Sequence, residues 1–130
     1  MSKITESLKK FYNMAVKNIK EGLESLTSTV NANSSKLSAL GAPHSFTLTT
    51  DGWTAYTADG GDNNYYKSLA VSGMTTSDVV DATINYNSIA AARDCGLNPT
   101  VETANNVLLF RTKKIPTESI QGSWHYIYKA

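Results

Sequence analysis

The chain has 130 residues, with 12 Lys and Arg against 11 Asp and Glu for a net charge of +1. That length holds one ordinary domain, or a small domain with an extension, which excludes large multidomain enzymes and repeat arrays; near neutrality leaves no electrostatic footprint for nucleic acid. Charged residues are 18% and hydrophobic residues 41%, while Thr, Ser and Asn fill 40 of the 130 positions, so the chain suits turns and solvent-facing strands yet has enough apolar residues for a core.

Lys3, Lys9 and Lys10 are followed by no continuous apolar run, so no secretory leader is expected. No stretch approaches the ~20 apolar residues of a membrane span. Residues 1–42 carry six Lys, three Glu, no Pro and one internal Gly, Gly22, for a net charge of +3. Residues 43–130 hold all three prolines, ten of the twelve aromatics and a net charge of −2. Gly41-Ala42-Pro43 marks the change, because Gly caps a helix and Pro cannot continue one. We expect two domains, a helical stem over 1–42 and a β domain over 43–130. The fold class is α+β, an N-terminal coiled-coil helix followed by a small antiparallel β-sandwich.

In the stem, Ile4, Leu8, Phe11, Ala15, Ile19, Leu23, Leu26, Val30, Asn33, Leu37 and Leu40 recur at intervals of three and four. Strict alternation runs from Leu23 to Leu40, with Leu23, Val30 and Leu37 at a and Leu26, Asn33 and Leu40 at d. The extra four between Ala15 and Ile19 is a stutter that locally unwinds a supercoil. So narrow a stripe is too thin to pack on a sheet, and a rod of roughly 55 Å is too long for the β domain to cover. Self-association is expected. Asn33 reads either as a weak spot or as a device that fixes register. The poor helix formers of 27–35 make that stretch prone to fray, or helical only when assembled.

In the second segment, 46–50 alternates and reaches the Asp51-Gly52 turn. Trp53, Tyr56 and Ala58 follow, and 59–64 reads as a loop. The run 65–71 alternates, with Tyr65, Leu69 and Val71 on one side and Tyr66 on the other. Residues 72–78 form a turn, and Val80, Ala82, Ile84 and Tyr86 line one strand face. A short helix over 88–95 ends at Gly96. Asn105-Asn106 joins a hairpin between 101–104 and 107–112, and Ile120, Trp124, Tyr126 and Tyr128 alternate along the last strand. Six or seven short strands with a turn every ~8–12 residues suit a sandwich.

Catalysis needs a constellation that these residues do not assemble. Cys95 is the single cysteine, so no internal disulfide forms, and no paired Cys and His suggest zinc. Cys95 reads as a small buried hydrophobe. His44 falls in the hinge and His125 on the solvent face of the last strand. No Gly-x-Ser-x-Gly elbow, Walker loop or His-Glu-x-x-His pair exists. Asp59, Asp62, Asn63 and Asn64 lack calcium-loop spacing and read as a turn. No catalytic residue, metal or cofactor is expected. Aromatics remain: Trp53 and Trp124 as core rings, and Tyr56, Tyr66 and Tyr128 as candidate surface-binding rings.

A diffuse pattern joins Trp53, Tyr66-Lys67-Ser68, Val71-Ser72-Gly73-Met74-Thr75 with Asp78, Val79-Val80-Asp81, the 90–95 helical turn, Leu108-Leu109-Phe110, Ile115-Pro116 and Ile120. Over about residues 46–128 the chain resembles the small C-terminal β domains of bacteriophage fibre and baseplate proteins, of the type in phages of Gram-positive hosts. Val-Ser-Gly-Met-Thr with Asp78 is the most telling piece. The resemblance implies a virion structural protein and brings no catalytic residue with it. It implies a homotrimer with Leu23, Leu26, Val30, Asn33, Leu37 and Leu40 as the seam; spacing alone does not choose between two strands and three. A chain that begins directly with its helix fits a short fibre or decoration on the capsid head slightly better than a tail-tip or baseplate fibre. Phe11, Tyr12 and Met14 are then the attachment surface for capsid or tail proteins of the same virion. The expected location is the virion surface, after synthesis in the host cytoplasm. A tip acting as an adhesin has a bacterial cell-surface glycan as its partner; neither nucleic acid nor membrane insertion is expected.

Overall fold

The computed structural model describes residues 2–57 and 61–130. Ala58, Asp59 and Gly60, at the start of the expected loop, lie outside the described residues.

One helix, α1 (Lys3–Gly41), takes up the stem. Ser2 starts it by accepting the Thr5 N–H on its hydroxyl at 3.3 Å, and Glu6 places negative charge in the first turn, where the helix dipole favours it. The poor helix formers of 27–35 do not interrupt it. Thr29 turns its hydroxyl onto the Ser25 carbonyl at 3.1 Å, a bond made inside the helix rather than in competition with it. The chain divides into two compact units, one ending at Leu37 and the other spanning Ser38–Ala130. The last turn of α1 therefore belongs to the second unit, where Ala39 and Leu40 pack against the core.

The second unit holds two antiparallel sheets. One orders β1 (His44–Leu48), β7 (Ile120–Tyr128) and β4 (Val79–Ile84) as β1-β7-β4; the other orders β2 (Thr54–Ala55), β3 (Tyr65–Ala70), β6 (Val107–Thr112) and β5 (Glu102–Ala104) as β2-β3-β6-β5. Alternation decides which side chains turn inward. Phe46 and Leu48 from β1, Ile120, Trp124 and Tyr126 from β7, and Leu108 and Phe110 from β6 are all buried. Phe46 meets Phe110 at 4.9 Å between ring centroids, joining the inner faces of the two sheets. Trp124 lies between His44, stacked at 4.3 Å, and Tyr126, edge-on at 5.1 Å. Gly122 sits opposite both Phe46 and Ile84. A Cβ there would come within 2.4 Å of the Thr83 carbonyl and 2.6 Å of the Phe46 ring, so only glycine lets the three strands close up.

After β4, a 3-10 turn over Tyr86–Ser88 leads into α2 (Ile89–Cys95). Gly96 ends α2 in the left-handed region at φ 66°, and the Leu97 N–H reaches back to the Ala92 carbonyl at 2.9 Å. Ser88 is buried and its hydroxyl accepts the Gln121 N–H at 2.9 Å, tying this segment to β7. Cys95 is buried, and burial pushes its thiol pKa up, as expected of an inert structural cysteine.

Two side chains, Tyr86 and Trp53, depart from the sequence reading. Tyr86 does not continue the face of Val80, Ala82 and Ile84; the chain leaves the strand at Asn85 and the ring is 92% exposed. Trp53 is half-buried rather than central, with its indole N–H donated to the Thr49 carbonyl at 2.9 Å. Tyr128 keeps the parity of Trp124 and Tyr126 yet is exposed, as a candidate surface ring must be; the β4–β7 register shifts between Val79 and Val80 and leaves it opposite the exposed Val79.

Candidate functional site

The turn that carries the most telling motif does structural work. Gly73 takes φ 84°, and Met74 drops into the core at 2% exposure. Asn106, at φ 62° in the β5–β6 hairpin, accepts the Val71 N–H on its carbonyl at 2.9 Å and the Gly73 N–H on its side chain at 3.0 Å. Asp78 closes the turn by accepting the Thr75 N–H at 2.9 Å. Its buried carboxylate also accepts the Ala130 N–H at 2.7 Å and pairs with Lys129 Nζ at 3.0 Å. Burial works to raise the Asp78 pKa, but the bonds from Ala130, Lys129 and Thr75 outweigh it and hold the carboxyl below its ordinary range. This cluster anchors the end of the chain, at Lys129 and Ala130, to the turn.

Lys67 is a second structural device. It lies opposite Phe110 in the β3–β6 ladder, on the inward face. Its stem runs to the end of the sandwich, where Nζ donates to the Asp51 carbonyl at 2.6 Å and the Thr49 hydroxyl at 2.5 Å. The Thr49 hydroxyl also bonds the Asp51 carboxylate, and that bond, the Asp51 N–H and Lys67 lower the Asp51 pKa.

The outer face of the four-stranded sheet presents a different surface. Tyr66 and Arg111 are direct cross-strand partners. The Arg111 guanidinium lies 4.5 Å from the centre of the Tyr56 ring and 5.8 Å from that of Tyr66, while Nε pairs with the Glu102 carboxylate. Tyr56 and Tyr66 meet edge-on at 6.4 Å. Beside them opens a cleft of about 350 Å3 lined by Tyr56, Asn63, Asn98, Thr100, Glu102 and Arg111. The Asn98 amide donates to Asn63 at 3.0 Å and accepts the Thr100 N–H at 2.9 Å, which holds the cleft wall in place. Two of the three candidate surface tyrosines are thus brought together. Tyr128 stands on the other sheet, away from them. Arg111, Asn98 and Glu102 escaped the sequence reading because they are scattered along the chain; the one available signal was that Tyr66 and Arg111 fall on the outward parity of adjacent strands.

The stem offers an apolar surface. No residue of α1 is buried. Leu23, Leu26, Val30 and Leu37 of the seam are 52–71% exposed, and Phe11, Tyr12 and Met14 are 54–67% exposed. Asn33 is exposed among them, and Leu40 is half-buried. An open trough of about 700 Å3 runs along this one helix, floored by Val16, Ile19 and Leu23 and edged by Lys20 and Glu24.

Among the described residues no group of His, Cys, Asp or Glu is placed to hold a metal ion, and no helix is long and apolar enough to cross a membrane. No family model, curated protein or solved structure matches the chain.

Proposed function

We propose that the protein is a non-enzymatic bacteriophage virion structural protein, a short trimeric fibre or decoration protein. Its N-terminal helix serves assembly and attachment, and its β domain is displayed at the virion surface, on the capsid head in preference to the tail. The observation that carries this reading is α1: eleven large apolar side chains along the helix are 46–73% exposed and none is buried. A fully buried Leu or Val side chain contributes about 1.5–3 kcal/mol. A chain that leaves so many in water has a strong drive to bury them against copies of itself or a partner.

The heptad register of Leu23, Leu26, Val30, Asn33 and Leu37 supports helix-to-helix packing, and the resemblance over about residues 46–128 supports the virion and the number three. Phe11, Tyr12 and Met14 lie on the part of α1 before the strict seam and serve attachment to a capsid or tail protein of the same particle. A second reading, a tail-tip or baseplate receptor-binding module, draws on the cleft beside Tyr56 and Tyr66. Immunogold labelling of purified particles with antibodies to the β domain tests the assignment. Label on the heads is expected, label at the tail end favours the second reading, and particles without label overturn both.

A further inference from the structure

We infer that the cleft lined by Tyr56, Asn98, Thr100 and Glu102 is a binding site for a neutral hexopyranoside. The inference deepens the display reading above, on which it rests for its setting but not for its chemistry. Its volume of about 350 Å3 falls at the lower end of small-ligand pockets, which run from about 300 to 1,000 Å3, and leaves room for one or two sugar rings.

The lining suits a polyol. An amide, a carboxylate, an aliphatic hydroxyl and a phenol line one space and supply both donors and acceptors. The hydroxyls of Tyr56 and Thr100 and the second carboxylate oxygen of Glu102 make no hydrogen bond among the described residues, and so keep their capacity for a ligand.

The groups are held before any ligand arrives. Asn98 is fixed at both ends of its amide. Glu102 is fixed through one oxygen by Arg111, whose guanidinium also lies against Tyr56. Little side-chain freedom is left to lose on binding. The Arg111–Glu102 pair cancels its own charge, which disfavours phosphate and acidic sugars. No aliphatic side chain lines the cleft among the described residues, which disfavours a peptide that anchors by apolar side chains.

Saturation-transfer NMR on the full chain tests this, with the methyl glycosides of glucose, galactose, mannose and N-acetylglucosamine as probes and methyl glucuronide as the charged control. Saturation transfer to at least one neutral glycoside is expected. Thr100→Ala and Glu102→Gln each weaken it about tenfold; Thr100 is an exposed site whose side chain makes no internal bond, so that variant melts as the wild type does, whereas Glu102→Gln also gives up the ion pair with Arg111 and melts lower. Retention on immobilised galactan, mannan or dextran marks a polymer as the source of the sugar, and binding to the glycosides alone marks a free one. No transfer to any neutral glycoside, a preference for the glucuronide, or equal signals in the two variants overturns the inference. Light scattering of the same sample reports assembly separately, so a failed site and a failed fibre reading are told apart.

Discussion

Trp124 is 4% exposed and held between two aromatic rings. Its place in the core was legible from the alternation of the last strand. Trp124→Ala should cost about 3–5 kcal/mol in chemical denaturation, the usual range for deleting a large buried ring; an unchanged midpoint would mean that the ring contributes nothing to the core. Thr112 is 0% exposed and its hydroxyl has no hydrogen-bond partner. Thr112→Val keeps the shape and removes the unmet polar group, so it should stabilise by about 1 kcal/mol in the same assay. Asp78 was legible as a turn residue, but not its partners Lys129 and Ala130, which lie 51 and 52 residues away. Its folded pKa is depressed, whereas in the unfolded chain it titrates near 3.9. The unfolded state therefore takes up the proton first as pH falls. The stability the carboxylate contributes is complete above about pH 5 and is lost as pH falls through the folded value. Urea midpoints should show a gap between wild type and Asp78→Asn at pH 7 that narrows as pH falls through the depressed folded pKa; a gap that does not narrow in acid would mean that the charge of Asp78 is not what matters.

At the scale of elements, local signals were sufficient where an element depends on its own residues. The three-four spacing marked α1, Gly96 marked the end of α2, and Asn105-Asn106 marked the β5–β6 hairpin. They were insufficient where an element depends on distant ones. The low helix propensity of 27–35 pointed to fraying or to a helix formed only on assembly; α1 runs through the stretch unbroken. The turn at the end of β4 takes Tyr86 out of its expected row, and the cleft draws on three separate stretches of chain. The strongest test at this scale uses the seam. Leu26 and Leu37 are 59% and 71% exposed and lie in the first compact unit. Leu26→Glu with Leu37→Glu should abolish self-association while the near-UV spectrum and melt of the β domain stay as in the wild type. Assembly that survives both substitutions places the interface in the β domain instead.

For the whole molecule, the change from helix to strands was legible because composition shifts sharply at Gly41-Ala42-Pro43, where α1 ends and β1 follows. The compact units divide between Leu37 and Ser38, since Ala39 and Leu40 pack against the sandwich. The number of chains in the proposed assembly is not legible in the sequence, because Leu at a and d with one Asn is compatible with more than one oligomer. The central claim is that α1 exists to associate with copies of itself. Light scattering during size-exclusion chromatography of the full chain, beside the fragment Ser38–Ala130, tests it most directly. The account predicts three times the chain mass of 14.1 kDa for the full protein and a folded monomer for the fragment. A full chain that elutes at 14.1 kDa at every concentration tried would contradict it.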